Sequence, residues 1–131
     1  MMNDGLPEDR SPVMRIPAMP KDVNTGGSIF GGWIMSHVDI AGSIPAELRA
    51  KGPIVTRAVE AFEFKKPVFV GDLISLYAKV ISVGRSSIKV DVEVYSQSIK
   101  KGVVTTQKVT EAILVYVAID HNGRPRAVPK I

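Results

Sequence analysis

The sequence predicts an α+β fold in which one long, buried helix is wrapped by a curved antiparallel β-sheet. Three observations carry this. A single stretch, residues 29 to 50, has helical character and clear stop signals, and every segment after it reads as strand. Helix and strands are thus segregated along the chain rather than alternating, which separates α+β from α/β. The lengths also agree. A helix of about 20 residues spans roughly 30 Å, and strands of ten or more residues span about 33 Å or more, so a sheet can follow the helix from end to end.

Residues 1 to 13 form an irregular N-terminal arm, and 14 to 131 form the single folded domain. Pro7, Pro12, Pro17 and Pro20 remove backbone donors and fix φ, so this region supports at most a short edge strand, near Met14 to Met19. The cluster Asn24-Thr25-Gly26-Gly27-Ser28 is turn-forming, and Ser28 is placed to cap a helix beginning near Ile29. That helix reaches about Ala50, before Lys51-Gly52-Pro53. Its first half is apolar on almost every side (Ile29, Phe30, Trp33, Ile34, Met35, Val38, Ile40, Ala41, Ile44), as in a helix buried all round. Pro45 should kink or split it, because proline costs an internal hydrogen bond.

Strands are expected over residues 54 to 64 and 73 to 83, with Val68 to Asp72 turning between them. Gly84-Arg85-Ser86-Ser87 ends the second strand. Residues 88 to 95 then alternate strictly: Ile88, Val90, Val92 and Val94 on one face, Lys89, Asp91, Glu93 and Tyr95 on the other. That is a half-buried antiparallel strand. The last strand spans 103 to 119. It is apolar at every position from Ala112 to Ala118, which predicts cover on both faces there. Asp120-His121-Asn122-Gly123 turns the tail away.

Composition removes several kinds of function. At 131 residues, 45% hydrophobic and 23% charged, the chain is long and apolar enough to bury a core unaided. With no cysteine there is no disulfide framework, thiol nucleophile or thiolate metal site. His37 and His121 are too far apart to suggest metal ligation. The net charge of +4 is scattered, adjacent only at Lys65-Lys66 and Lys100-Lys101. Nucleic acid would call for a basic stripe, so the scatter suggests only a mild pull on small anions. No run approaches the roughly 18 apolar residues of a membrane helix, and the polar start MMNDGLPEDR does not read as a signal peptide. A cytoplasmic location, without membrane or nucleic-acid partners, is the resulting expectation.

Asp39 lies inside the most apolar stretch of the chain. The plain alternative is a solvated or locally capping aspartate. An acidic residue in mid-helix is unfavourable by propensity, however, and Val38 and Ile40 offer no wet surface. A carboxylate in such a setting is a candidate nucleophile or general base. Asn24, Gly26, Gly27, Gly31 and Gly32 surround the helix start. They read either as a loop and a closely packed helix, or as a place where free backbone N–H groups meet developing negative charge. His37 points away from Asp39 at a two-residue spacing and reads as packing or interface. Ser28, Ser36 and Ser43 have no nucleophile-elbow context. Gly31-Gly32 is not a dinucleotide fingerprint, because no strand precedes it. Lys65, Lys66, Arg85, Arg124 and Arg126 read one by one as solvated surface charges.

Taken together and in order, these residues resemble a known family. Asn24-Thr25-Gly26-Gly27-Ser28-Ile29-Phe30-Gly31-Gly32-Trp33 followed by Asp39 is similar to the N-terminal motif of YciA-like acyl-CoA thioesterases of the hotdog superfamily. Val55-Thr56, Phe64 to Val68, Val70-Gly71-Asp72, Gly84 to Ser87, Lys108 to Ala112 and Gly123 to Pro129 follow in register, so the resemblance runs from about residue 14 to the end. Pro45 and Lys65-Lys66 depart from the usual pattern but lie outside the motif.

The resemblance implies a hotdog fold and hydrolysis of acyl-CoA to a carboxylic acid and coenzyme A. By it, Asp39 is the catalytic carboxylate, and Asn24 belongs to the opposite subunit's site. Amides around Gly31-Gly32 polarise the thioester carbonyl, and Thr56 lines the site. Gly84, Arg85, Ser86 and Ser87 contact coenzyme A. Arg85 unites exposed amides, hydroxyls and a guanidinium that can bind phosphate, with Arg124 and Arg126 as further candidates. The resemblance also implies a homodimer, assembled as a trimer of dimers, and no cofactor beyond the coenzyme A of the substrate. Two alternatives compete. A hotdog dehydratase or hydratase would want a histidine with its carboxylate, and His37 is badly placed. A non-catalytic acyl-CoA sensor would want a DNA-binding segment, for which the chain has neither spare length nor a basic helix.

Overall fold

The computed structural model describes residues 5–131 and, of Asp22, the backbone alone. The elements in order are β1 (Met14–Pro17), a 3-10 turn (Pro20–Asp22), α1 (Gly31–Ala50), β2 (Ile54–Phe64), β3 (Leu73–Val83), β4 (Ser87–Lys100) and β5 (Val103–Ala118). All five strands form one antiparallel sheet in the order β1-β3-β4-β5-β2. The helix lies across one face of it, touching β2, β3, β4 and β5. This is the α+β hotdog arrangement, and β2 and β3 begin and end where the sequence places them.

The alternation on β4 does what period 2 requires. Ile88, Val90, Val92 and Val94 are fully buried against the helix, alongside Ile74 and Leu76 of β3 and Ala112, Leu114 and Tyr116 of β5. The strand runs five residues beyond the expected end, to Lys100. The apolar alternation stops at Tyr95, but the hairpin ladder continues to the pair Lys100↔Val103. It closes on Lys101 and Gly102, both with positive φ, the two-residue loop whose twist matches a hairpin. β1 is shorter than expected, ending at Pro17. The described part of the arm, residues 5–13, has no helix or strand. Arg10 pairs there with Glu93 and lies 5.3 Å from the centre of the Tyr77 ring, on the sheet face away from the helix.

The helix departs from expectation in three ways. It starts at Gly31 rather than near Ile29, and Ser28 does not cap it: the N-cap is Phe30, without a side-chain bond. Ser28 is instead bridged to Phe69, and the Ile29 N–H donates to the Val68 carbonyl at 2.8 Å, which keeps the chain extended until Gly31. Pro45 does not split the helix, which is a single 20-residue element. One hydrogen bond is forgone, while packing of the apolar face supplies most of a helix's stability. Finally, burial is one-sided. Ile34, Val38, Ala41, Gly42, Ala46 and Ala50 are buried against the sheet, whereas Met35 (45%) and Ile40 (51%) remain exposed. The helix ends as expected, with Lys51 left-handed and its N–H bonded to the Glu47 carbonyl at 2.8 Å.

Cover on both faces of β5 is likewise incomplete. Ala112, Leu114 and residues 116–118 are buried, but Ile113 and Val115 are only half-buried, because the helix shields just one face of the strand. β2 is an edge strand that pairs with β5 alone. Its first residue and Phe62 are half-buried and the others are exposed, the apolar Val55, Val59 and Phe64 among them. A long edge with apolar exposed side chains is an incomplete surface.

Candidate active site

Asp39 stands near the middle of α1, the ninth of its 20 residues, on the side facing β2 and β5. Its Oδ1 accepts a hydrogen bond from Thr56 Oγ1 at 2.6 Å and one from the Tyr116 hydroxyl at 3.2 Å. The same hydroxyl lies 2.7 Å from the main-chain carbonyl oxygen of Asp39. Thr56 and Tyr116 are direct cross-strand partners of β2 and β5, so one sheet position delivers both donors to one carboxylate oxygen. Tyr116 is fully buried. Burial first, then the charge of Asp39 and the hydrogen bond to it, push the phenol far above its ordinary range. The hydroxyl therefore stays protonated, a donor at any physiological pH.

Beside this carboxylate is an open cavity of about 250 Å³ lined by Met35, Ser36, Asp39, Thr56, Val59, Phe62 and Leu114. Its walls are mainly apolar, and Asp39 is its one charged group. Ser36 does not act as a free hydroxyl, since its Oγ donates to the Trp33 carbonyl at 3.0 Å. His37 follows the plain reading: its ring centre is 4.3 Å from that of Trp33, and its Nδ1 is 2.9 Å from the Trp33 carbonyl. Among the described residues, no group of three or more histidine or carboxylate side chains is arranged to hold a metal ion.

The second set of candidates surrounds the helix start. Asn24 organises the turn before it, its Oδ1 accepting from Gly26 N at 2.8 Å and Ser28 N at 3.3 Å, while its Nδ2 donates to Ser28 Oγ at 3.1 Å. One of the two Nδ2 hydrogens is left over. Gly31 and Gly32 are exposed, and their amides are among those that a helix start leaves without intrahelical partners. A side chain at Gly31 would meet the Phe64 ring at 3.2 Å, so glycine keeps this approach narrow. An adjoining cavity of about 290 Å³ is lined here by Ile29, Gly31, Ile34, Phe64, Lys65 and Lys66, among others. Lys65 is engaged by Glu63 at 3.3 Å and Glu111 at 3.4 Å.

These two sets are not brought together within one chain. Gly31 and Gly32 precede Asp39 by eight and seven residues on a continuous helix, a separation of roughly 10–12 Å along the axis. No single carbonyl group can touch both.

The third set converges at the opposite end of β2. The turn Gly84 to Ser87 closes with Gly84 N donating to the Ser87 carbonyl at 2.8 Å. The end of β5 and the C-terminal tail pin it, with Ala118 N on the Ser86 carbonyl at 2.8 Å and Val128 N on the Arg85 carbonyl at 2.7 Å. The Arg85 and Arg124 side chains project into solvent. Arg126 is employed differently: its Nε donates to the Ile119 carbonyl at 2.8 Å, and an Nη reaches the Pro53 carbonyl at 3.4 Å. These bonds anchor the tail and use two of the five guanidinium donors. A cavity of about 400 Å³ runs between tail and β2, lined by Val55, Thr56, Arg57, Val117, Ile119, Gly123 and Pro125. Thr56 lines both this cavity and that of Asp39, and Val117 is paired with Ser87. The turn and the carboxylate thus lie at two ends of one surface.

The sequence did not single out Tyr116, and it marked Gly42 only as a helix glycine that permits close approach, not as part of a site. Tyr116 shares the helix-facing side of β5 with Ala112 and Leu114, a signal for core rather than chemistry. Gly42 is three residues after Asp39 and therefore on its face. A Cβ there would come within 2.4 Å of the Tyr116 hydroxyl.

A five-stranded antiparallel sheet packed on one long helix is the hotdog architecture, and comparison with known proteins gives the family. Residues 26–103 match the model of the thioesterase superfamily. The chain belongs to that superfamily, in its acyl-CoA thioester hydrolase branch. The acyl-CoA thioester hydrolase YciA of Escherichia coli is 43% identical over 118 residues, 89% of each protein. Two hexameric enzymes are similar in three dimensions. One is the hotdog-fold thioesterase Cj0915 of Campylobacter jejuni, at TM-score 0.90 and 40% identity, over 94% of this chain and 93% of that one. The other is HI0827, a broad-specificity acyl-coenzyme A thioesterase, at TM-score 0.87 and 42% identity, over 99% and 89%.

Proposed function

We propose that this chain hydrolyses acyl-CoA thioesters at a site shared by two subunits. Asp39 and Thr56 come from one subunit, and Asn24 and the Gly31-Gly32 amides from the other. The observation that carries this reading is an anchored carboxylate in an apolar cavity, on the same helix as unpartnered amides that lie too far away to serve it. Pairing two chains antiparallel about a two-fold axis supplies each carboxylate with its neighbour's amides. The exposed β2 edge, with Met35 and Ile40 beside it, offers the surface for such pairing, and closed symmetric dimers are the usual result. The hexameric state of similar enzymes supports a trimer of these dimers.

In this reading, acyl-CoA lays its thioester over the cavity floor. The carbonyl oxygen accepts from the Gly31-Gly32 amides, which meet the charge that develops on it. Asp39 either attacks the acyl carbon or takes a proton from the water that does. On the water route Asp39 passes the proton it took to the coenzyme A sulfur as the C–S bond breaks, and water's oxygen stays in the free acid. On the direct route C–S cleavage leaves an anhydride between the acyl group and Asp39, which water then cleaves, one of its protons going to the thiolate and the other staying with the acid, and Asp39 is restored. The nucleotide end lies toward Gly84 to Ser87, with Arg85 and Arg124 on its phosphates. The reading needs no resident cofactor.

The test is release of coenzyme A thiol from a panel of acyl-CoA substrates. Asp39→Asn preserves volume and removes the charge. It is expected to lower turnover at least about a hundredfold, the scale of acid–base or nucleophilic assistance, with the fold intact by circular dichroism. Near-normal turnover in that variant ends the assignment. Absence of thiol release by the unaltered protein on every acyl-CoA favours a binding role instead.

A further inference from the structure

The structure assigns to Tyr116 a positioning role in thioester hydrolysis: its hydroxyl, admitted by Gly42, clamps Asp39 so that Oδ2 is the reacting oxygen. This rests on the reading of Asp39 given above. The observations are geometric. The Tyr116 hydroxyl contacts Asp39 twice, at the main-chain carbonyl (2.7 Å) and at Oδ1 (3.2 Å). A group held at both backbone and carboxylate resists rotation about the bonds between them. Thr56 binds the same Oδ1 at 2.6 Å. Thr56 thus donates to Oδ1 outright, and the single Tyr116 proton is shared between that oxygen and the main-chain carbonyl, while Oδ2 receives no donor among the described residues.

The tyrosine reaches this far because residue 42 has no side chain. A Cβ on Gly42 would lie 2.4 Å from the Tyr116 hydroxyl oxygen but 3.2 Å from the nearest ring carbons. The hydroxyl is thus the group that glycine accommodates; the ring alone needs only a slight adjustment. Nothing about helix formation calls for glycine in the interior of α1, where it lowers propensity relative to alanine. The catalytic arrangement explains it, since Gly42 follows Asp39 by three residues and Tyr116 fits above both.

Three variants test this by coenzyme A release: Tyr116→Phe, Gly42→Ala and the pair combined, with Asp39→Asn in parallel. Tyr116→Phe should lower kcat about tenfold to a hundredfold, the scale of one hydrogen bond to a charged group, and leave KM for acyl-CoA within about twofold, because only the transition state loses support. Gly42→Ala should cause a similar loss by displacing the hydroxyl. The double variant should be no worse than Tyr116→Phe alone, because the clash disappears with the hydroxyl. Multiplying losses would make Gly42 a packing residue independent of Tyr116 and overturn the clamp. So would a kcat within about twofold of normal in Tyr116→Phe, or a loss confined to KM, while Asp39→Asn abolishes turnover. Melting curves of all variants separate lost fold from lost clamp. Full activity in Asp39→Asn would instead overturn the reading beneath the proposal.

Discussion

A site divided between subunits makes a quantitative prediction about mixed assemblies. The perturbation is a pair of complementary lesions. Asp39→Asn removes the carboxylate and keeps its shape. For the other half, Asn24→Asp is preferable to alanine. Asn24 Oδ1 holds the amides of Gly26 and Ser28, and a carboxylate retains those acceptors while losing the Nδ2 donor. It also sets a negative charge where charge develops in the reaction. Each variant alone should be nearly inactive. The amides and Asp39 of one chain lie roughly 10–12 Å apart along the helix, so each site draws its halves from different chains. After dissociation and random reassociation in equal amounts, half of the amide-side halves and half of the carboxylate-side halves are intact. About a quarter of all sites are then whole, in any closed symmetric assembly. The assay is thiol release before and after mixing, with subunit exchange confirmed by native mass spectrometry of differently tagged chains. Recovery of about 25% of normal activity supports the shared site. No recovery despite proven exchange would refute the reasoning, because a site contained in one chain gains nothing from a neighbour.

Two further outcomes follow from the same geometry. Arg85→Ala should raise KM for acyl-CoA several-fold with little change in kcat, because an exposed phosphate contact contributes equally to ground and transition states. The effect should fade as salt rises and be absent for an acyl-pantetheine; equal weakening of both substrates would move the residue's role to folding of the turn. The second outcome concerns alkaline stability. Burial raises both Tyr116 and Tyr77 above the ordinary 10.0, partly offset at Tyr77 by Arg15 and Arg10. Folded values above unfolded ones mean that stability is intact below pH 10 and lost as pH climbs past it toward the folded values. Urea unfolding at stepped pH should show that decline, and Tyr116→Phe should flatten it. An unchanged slope in the variant would show that Tyr116 is not the group that titrates.

Much of this protein is legible in its sequence because local patterns carry local information. Alternation from Ile88 to Val94 can satisfy only a strand with one face buried, and the Lys51-Gly52-Pro53 run can only end a helix. Asp39 was conspicuous because a charge amid Val38 and Ile40 conflicts with its neighbours, and such a conflict makes a residue a candidate for function. Where a pattern and a contact disagreed, the contact prevailed. Ser28 has the chemistry of a cap, yet its pairing with Phe69 delays the helix to Gly31. Arg126 was read from the sequence only as a cation, and the structure shows that it also ties the tail to the carbonyls of Ile119 and Pro53.

By itself, then, the sequence determined which segments are helix and strand, which face of β4 is buried, and that a carboxylate interrupts the most apolar helix. Only the tertiary structure decided that β2 lies at the edge beside β5, and that Tyr116, 77 residues from Asp39, joins Thr56 on its carboxylate. Periodicity records which way a side chain faces relative to its own backbone. Its neighbours across the sheet are selected by long-range packing, and no short window of residues encodes that choice.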